Sequence, residues 1–293
     1  MTTFDVLVIG EALIDIVDDG AVRVEHPGGS PANVALGLGR RGVNVALLTD
    51  LGRDDRGSRL VEHLEGSGVH VLDASFSDRA TSTAGATLGS DGSAAYEFDV
   101  HWRLSLAPIP ESATVVHTGS IAAFLEPGRS AVLEHLRRLD APTTTFDPNI
   151  RPALLGTHAH ALQSFRELAA LADIVKMSDE DAAWLYPTLA PDEVGRTVRA
   201  LGPRLVVVTH GSDGAVLTTE TSEVHVPAVV TPVADTIGAG DTYMASLIAD
   251  MLGATSEFPD AEAIALMGAR AARAAAITVS RAGADLPWRD ELT

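Results

Sequence analysis

The chain contains no cysteine and a single lysine, Lys176. The lack of cysteine excludes disulfides, thiolate metal sites and a cysteine nucleophile. Long apolar runs are missing as well, because the N-terminal run Val6–Ile9 is short and follows a charged residue, Asp5. Such a run is too short for a signal peptide or a membrane span. We therefore expect a soluble, cytoplasmic protein without a membrane partner.

Positive charge is scarce throughout the chain. The 293 residues carry a formal net charge of −19, and a field of that sign repels nucleic acid and anionic membranes. Both classes of partner are excluded on this ground. A site for ATP in such a protein needs a local positive potential, which backbone N–H groups at the start of a helix supply without any basic side chain.

The chain has 46% hydrophobic residues and no low-complexity segment, so we expect one large domain over residues 1–293. Short β-branched runs alternate with helical patterns, which is typical of a parallel α/β fold. The first helix is expected to begin at Pro31 behind Ser30 as N-cap. The predicted strands are Val6–Ile9, Val43–Leu48, Thr114–His117, Thr143–Phe146, Ile174–Lys176 and Leu205–Thr209, with a hairpin over 215–226, and the predicted helices cover 31–38, 128–139, 161–172, 179–186, 192–201, 239–252 and 260–279.

Residues 81–100 do not continue this alternation of strands and helices. Thr81–Leu88 and Ala94–Val100 alternate in polarity on either side of a turn sequence, Ser90–Gly92, and this pattern predicts a β-hairpin. A lone hairpin in an α/β protein has to pack on another element. We therefore expect it to form a lid over a site.

The sequence does not support either of two common nucleotide-binding motifs. Gly37–Gly42 matches G-x-G-x-x-G, but the dinucleotide fingerprint opens a helix after a strand, whereas this run ends the helix that begins at Pro31. Gly42 suits a helix C-cap instead. A P-loop is excluded because no G-x-x-x-x-G precedes Lys176.

The strongest signal is Asp235–Asp241, Asp-Thr-Ile-Gly-Ala-Gly-Asp, which leads into an Ala-rich helix. Its glycines let the backbone approach a ligand closely, and the helix start aims free N–H groups and its dipole at the same point. Such a turn can hold a transferring phosphoryl group, while Asp241 can deprotonate an attacking hydroxyl. Taken alone, however, Asp241 could equally be a helix cap.

Other segments resolve this ambiguity, because the chain resembles the ribokinase-like (PfkB) family of carbohydrate kinases over nearly its whole length. The D-T-x-G-A-G-D run is the C-terminal signature of that family. Four further blocks match it in the same order: Gly10–Asp15, Gly28–Ala35 followed by Gly52 and Gly57, Phe146–Arg151, and Val207–Gly214. The resemblance implies a three-layer α/β/α sandwich with a mostly parallel central sheet, and a small β-sheet lid from about 10–30 and 81–104.

The resemblance also assigns roles to single residues. It implies that Asp241 is the general base, that Gly238, Ala239 and Gly240 form an anion hole, and that Arg151 meets the phosphates. It places the sugar hydroxyls against Asp15, Gly28, Gly29 and Asn33, with Phe98 and Arg103 from the lid segment. It places ATP against Lys176, Ser178, Thr209, Gly211 and Gly214.

The metal positions depart in part from the family pattern. A glutamate near Mg²⁺ is usual in the N-x-x-E block, whereas Asp181 here is one methylene shorter. The resemblance implies that Asp181 reaches Mg²⁺ through water, and that Asp235, Ile237 and Ser280 lie where many relatives bind a monovalent cation such as K⁺. It also implies that a homodimer can form through the lid.

Among these kinases, the motifs are most similar to those of bacterial fructokinases, which predicts phosphorylation of D-fructose to the 6-phosphate. A 2-keto-3-deoxygluconate kinase is the alternative, because Arg103 could bind a sugar carboxylate, although the Tyr-Tyr-Arg pattern is missing around Tyr96. Another sugar or nucleoside kinase, and a non-catalytic sugar- or nucleotide-binding protein on the same fold, also stay open.

Overall fold

A computed structural model describes residues 3–18, 22–88, 94–105, 109, 112–139, 141–253 and 258–292. Its strands are β1 (Phe4–Ile9), β2 (Leu13–Asp18), β3 (Arg23–Gly28), β4 (Val45–Leu48), β5 (Leu51–Gly52), β6 (Val69–Val71), β7 (Phe76–Ser77), β8 (Thr83–Leu88), β9 (Ala94–Asp99), β10 (Ala113–Gly119), β11 (Thr143–Asp147), β12 (Ile174–Ser178), β13 (Leu205–Thr209), β14 (Ala215–Thr218) and β15 (Glu223–Val226). Its α-helices are α1 (Ser30–Arg40), α2 (Asp55–Glu65), α3 (Gly128–Arg138), α4 (His158–Ala169), α5 (Asp179–Leu185), α6 (Pro191–Arg199), α7 (Ala239–Leu252) and α8 (Ala261–Val279).

The central sheet has nine strands in the order β15-β14-β13-β12-β11-β10-β1-β4-β6. All neighbours from β6 to β13 pair in parallel, and β14 and β15 add an antiparallel edge. The strands are apolar on both faces because helices cover both. In β1, for example, Val6 and Val8 pack towards α1, α7 and α8, whereas Leu7 and Ile9 face the side of α3. This confirms the expected three-layer α/β/α sandwich with a mostly parallel sheet.

A separate four-stranded sheet has the order β3-β2-β8-β9. The expected hairpin is present as the antiparallel pair β8 and β9, registered from Thr83 opposite Asp99 to Leu88 opposite Ala94. The turn predicted at Ser90–Gly92 lies outside the described residues. The segment 10–30 contributes β2 and β3, so both chain segments expected in the lid form this sheet.

Some boundaries differ from expectation. Helix α1 begins at Ser30, with Gly29 at the N-cap position and no side-chain cap, so the prediction that Ser30 caps the helix was wrong. The physical reason is that the Ser30 hydroxyl bonds elsewhere, as described below. The G-x-G-x-x-G run does end this helix: a Cβ on Gly39 would lie 2.3 Å from the Ser67 carbonyl oxygen, and Gly42 has φ +78°. Among the described residues, no helix is long and apolar enough to cross a membrane.

Candidate active site

A cleft of about 790 Å³ opens at the carboxyl ends of the parallel strands, beneath the small sheet and beside the start of α7. This is the edge of an α/β sheet at which ligands usually bind, because helix starts and strand ends meet there. Strands β10 to β13 each deliver polar groups to it where they end or just beyond. The groups from these strands are Ser120, Asp147, Asn149, Lys176, Ser178 and Thr209.

Asp241 lies in the first turn of α7 and is only 6% exposed. Its Oδ1 accepts a hydrogen bond of 2.6 Å from Ser30 Oγ, and its Oδ2 accepts one of 2.8 Å from Asn33 Nδ2. Burial raises the pKa of Asp241, and these two hydrogen bonds oppose that rise. A carboxylate held in this way can take a proton from a hydroxyl group placed in the cleft.

The turn before α7 is shaped for an anion. Gly238 adopts a left-handed conformation with φ +79°, which L side chains rarely tolerate, and it is the N-cap residue of α7. The Ala239 N–H donates to the Thr236 carbonyl at 3.3 Å, whereas the N–H groups of Gly240 and Asp241 in the first turn lack helical acceptors. A Cβ added to Gly240 would lie 3.3 Å from Lys176 Nζ, so the glycine brings the predicted anion hole directly against the lysine ammonium.

Lys176 forms a buried ion pair with Asp147, with 2.7 Å between Nζ and Oδ2. Burial lowers the pKa of Lys176, but Asp147 and the nearby carboxylates outweigh that effect and the net direction is upward. Burial also raises the pKa of Asp147 to about 6, against the stabilising charge of Lys176. The second oxygen, Asp147 Oδ1, is buried and has no hydrogen-bond partner among the described residues.

The end of the cleft at which the sugar is expected lies under the small sheet. Asp15 from β2 lines it, and burial raises the pKa of Asp15 to about 6 although Arg151 opposes this. A Cβ on Gly28 would lie 2.0 Å from Asp15 Oδ2, so the glycine is required for this carboxyl group to occupy its position. Gly29, Asn33 and Phe98 line the same cleft, as the family pattern implies.

The two arginines expected at the site have different positions. Arg151 lines the cleft, with its Nη1 donating to Asn149 Oδ1 at 2.7 Å. Arg103 does not line the described part of the cleft: its side chain is exposed, and its backbone N–H donates to Asp50 Oδ2. The structure therefore does not bring Arg103 to the other predicted sugar-binding residues, because the chain turns away after β9.

The expected nucleotide side lies at β12 and β13. Ser178, Thr209 and Gly211 line the cleft. The Ser178 hydroxyl accepts from the Asp181 N–H as the N-cap of α5. Gly214 lies just behind, with φ +96° and a backbone so close to Val226 that a Cβ would lie 2.1 Å from its carbonyl oxygen. It shapes the loop without lining the described cleft.

The predicted metal residues are held by backbone groups. Asp181 lines the cleft, but its oxygens accept from the N–H groups of Ile150 and Ser178 at 2.8 and 3.0 Å. Asp235 accepts from the N–H groups of Ile237 and Gly283, which ties the segment before α7 to the segment after α8. The Ser280 hydroxyl donates to the Ile277 carbonyl at 2.7 Å. The described residues contain no cluster of three or more His, Asp or Glu side chains suited to a metal.

Sequence reasoning missed several residues of the site. Glu11 is buried and lines the cleft, its Oε2 accepts from the Ala122 N–H, and burial raises its pKa to about 7. Ser120 hydrogen-bonds to Glu11 and is held at φ +52°, an uncommon backbone conformation for serine. A charged residue immediately after a buried strand, as in Gly10-Glu11, was the signal that could have identified the first of them.

Comparison with known proteins agrees with this geometry. The model of the pfkB family carbohydrate kinases matches residues 3–291. The fructokinase of Klebsiella pneumoniae is 33% identical over 306 residues, covering 97% of each chain. A crystal structure of aminoimidazole riboside kinase from Salmonella enterica, complexed with aminoimidazole riboside and an ATP analogue, has a TM-score of 0.85 at 29% identity and covers 98% of each chain.

A second similar structure is bound to fructose rather than to aminoimidazole riboside. The fructokinase from Vibrio cholerae O395, in its fructose-, ADP- and calcium-bound form, has a TM-score of 0.84 at 26% identity and covers 95% of this chain and 94% of its own. The chain belongs to the pfkB family of carbohydrate kinases and is a sugar phosphotransferase.

Proposed function

We propose that the protein uses ATP to phosphorylate the 6-hydroxyl of D-fructose. The observation that carries this proposal is the placement of Asp241 at the mouth of the anion hole, bonded to Ser30 and Asn33 and facing the same cleft as Asp15. A base, a phosphoryl-binding turn and a hydroxyl-binding carboxylate thus share one cleft. Fructokinases at 31–33% identity over most of the chain support fructose as the acceptor.

The chemical step follows from these positions. Asp241 accepts the proton of the sugar hydroxyl, and the resulting oxygen forms a bond to the γ-phosphorus while the bond from that phosphorus to the β-phosphate oxygen breaks. The N–H groups at the start of α7 and the Lys176 ammonium stabilise the charge on the phosphoryl oxygens. Arg151 also lines the cleft and adds a second cation.

The charge of the cleft favours a neutral sugar over a sugar acid. Of the described residues that line the cleft, Arg151 and Lys176 carry a positive charge. Lys176 is already paired with Asp147. Asp15 and Asp241 are both on the sugar side, so a substrate carboxylate would meet like charges there. With Arg103 outside the cleft, 2-keto-3-deoxygluconate is the less favoured substrate.

The carboxylate oxygens available in the cleft suit Mg²⁺. This ion usually keeps several waters and binds one or two carboxylates together with substrate phosphates, so an all-protein cluster is not required. Asp181 and Asp147 would hold it, and the unpartnered Asp147 Oδ1 supplies a free buried acceptor. When bound, the ion neutralises phosphate charge. We also propose that K⁺ binds near Asp235, Ile237 and Ser280, which the family pattern suggests.

Aminoimidazole riboside is the second candidate substrate, because the kinase with that name covers 98% of this chain with a TM-score of 0.85. A panel containing fructose, aminoimidazole riboside, 2-keto-3-deoxygluconate and ribose, assayed by ADP release with Mg·ATP, separates the candidates. We expect the highest kcat/KM with fructose. Strong turnover of another acceptor without fructose turnover would refute the substrate. The absence of all ATP-dependent turnover, with sugar binding retained, would favour a binding protein.

We further propose a homodimer through the small sheet. Val17 and Val24 are opposite each other on β2 and β3 and are 41% and 40% exposed. An exposed pair of β-branched apolar side chains on a sheet face is a surface that a second copy can cover.

A further inference from the structure

A second cavity of about 410 Å³ shares no lining residue with the catalytic cleft. It is bounded by the outer face of α8, the end of α1, the C-terminal segment and the loop over residues 229–231. Three arginines line it: Arg41, Arg270 and Arg273. One carboxylate, Glu291, lines it as well, so in a chain of net charge −19 the cationic side chains outnumber the anionic ones around this cavity.

Two of these arginines are available for a ligand. Arg270 Nε donates to Asp250 Oδ2 at 3.0 Å. Arg41 and Arg273, in contrast, form no ion pair with any residue that the structure describes. Arg41 Nη2 is buried without a hydrogen-bond partner, and burial lowers the pKa of this guanidinium. A desolvated cation without a partner is costly, and an anion would remove that cost.

A third polar group points to the same conclusion. Ser246 of α7 lines this cavity and is 1% exposed, yet its hydroxyl has no partner among the described residues. A hydroxyl donor beside two unpaired guanidinium groups matches the several acceptor oxygens of a phosphate group. The apolar side chains of Val230, Ile277 and Leu292 also line the cavity, so it can accommodate a carbon skeleton as well. The rest of the lining includes Thr231, Ser280 and Glu291, whose carboxylate is paired with Arg281.

We propose that this cavity binds a small phosphate-bearing molecule, with the phosphate on Arg41, Arg273 and Ser246 and an organic portion against the apolar wall. This site is separate from the phosphoryl-transfer centre, and its assignment does not depend on which sugar the enzyme phosphorylates.

Backbone hydrogen bonds connect this cavity to the turn before α7. The N–H groups of Ala234 and Asp235 both donate to the Val279 carbonyl, at 2.8 and 3.2 Å, and Ile277 and Ser280 on either side of Val279 line the cavity. Gly238 follows three residues after Asp235 and starts the anion hole. A ligand bound at the end of α8 and the 229–231 loop is therefore linked by these hydrogen bonds to the chain that leads into the turn before α7.

The test is a calorimetric titration of protein already saturated with a non-hydrolysable ATP analogue, so that the phosphate positions of the cleft are filled. Inorganic phosphate and phenyl phosphate are the two probes. We expect saturable binding whose dissociation constant rises about tenfold in Arg273→Gln, since one charge-assisted contact to phosphate is lost. Arg138→Gln on α3, which removes another exposed positive charge far along the chain, should leave it unchanged.

The two probes separate the sources of the phosphate group. Tighter binding of phenyl phosphate assigns the cavity to an organic phosphate ester, and equal affinity assigns it to the free ion. Ser246→Ala provides a second variant that leaves every arginine in place, and it should also weaken binding. No saturable binding, or equal affinities in Arg273→Gln and Arg138→Gln, would overturn the proposal.

Discussion

Ser30, at the first position of α1, donates a 2.6 Å hydrogen bond to Oδ1 of Asp241, which lies 211 residues later in the first turn of α7. The contact fixes one oxygen of the proposed base while Asn33 fixes the other. The packing of α1 on α7 therefore brings the N-terminal and C-terminal sequence signatures together at one carboxylate.

Removal of the Ser30 hydroxyl should change the pH dependence of the reaction. The hydrogen bond from Ser30 lowers the pKa of Asp241, and the base acts in its deprotonated form. We therefore expect Ser30→Ala to move the acid limb of the kcat/KM profile to higher pH and to lower kcat at pH 6 more than at pH 8. Ser30→Thr, which keeps the hydroxyl, should restore the wild-type profile. An identical profile in Ser30→Ala would contradict the positioning role.

Asp241→Asn tests the base itself. The amide retains the shape of the side chain but cannot accept the sugar proton, so kcat should fall about 10²-fold or more, the scale of lost general-base catalysis. Sugar binding, measured by calorimetry without ATP, should be nearly unchanged because Asp15 and Asn33 remain. Full kcat in this variant would refute the assignment.

We expect the ion pair between Lys176 and Asp147 to have both a structural and a catalytic role, and paired variants separate the two. Lys176→Met leaves the Asp147 carboxylate buried and unpaired, which should cost about 3–5 kcal/mol in the free energy of unfolding. Adding Asp147→Asn removes the unpaired charge, so urea denaturation should show recovered stability in the double variant. Its kcat should stay low, because the cation beside Gly240 is still missing and Asp147, the proposed Mg²⁺ ligand, has been replaced. Recovery of both stability and kcat would show that Lys176 acts only through folding.

The proposed dimer can be tested on the outer face of the small sheet. Val24→Glu places a charge opposite Val17 in the β2–β3 pair, and two copies of that charge would have to be desolvated in a symmetric interface. We expect sedimentation velocity to show a dimer for the wild type and a monomer for this variant. Leu171→Glu, at a position with similar exposure of 40%, is the matched control and should stay dimeric. A monomeric wild type would contradict the proposal.

The sequence patterns predicted the layers of the fold, but they did not predict all contacts of the candidate site. Runs such as that in β1 are apolar on both faces, and this property alone predicts a buried parallel strand. Strand β3 escaped prediction because it is largely polar and contains Pro27, so neither alternation nor β propensity is present. The bond from Ser30 to Asp241 depends on how two distant helices pack, and the outward direction of Arg103 depends on where the chain turns after β9. Neither is encoded in a local pattern.

Glu11 should make the folded state less stable as the pH rises. Burial raises its pKa from 4.5 to about 7, so the folded protein holds this proton more tightly than the unfolded chain does. The associated stability is complete below pH 4.5 and is lost as the pH rises towards 7, by an amount on the order of 3 kcal/mol.

Glu11→Gln keeps an acceptor for the Ala122 N–H but cannot ionise. Urea denaturation should therefore show this variant close to the wild type at pH 5 and clearly more stable at pH 8. The exposed substitution Glu65→Gln serves as the control and should show no such divergence. If Glu11→Gln differs from the wild type by the same amount at both pH values, Glu11 is ionised throughout that range, and the upward pKa shift is wrong.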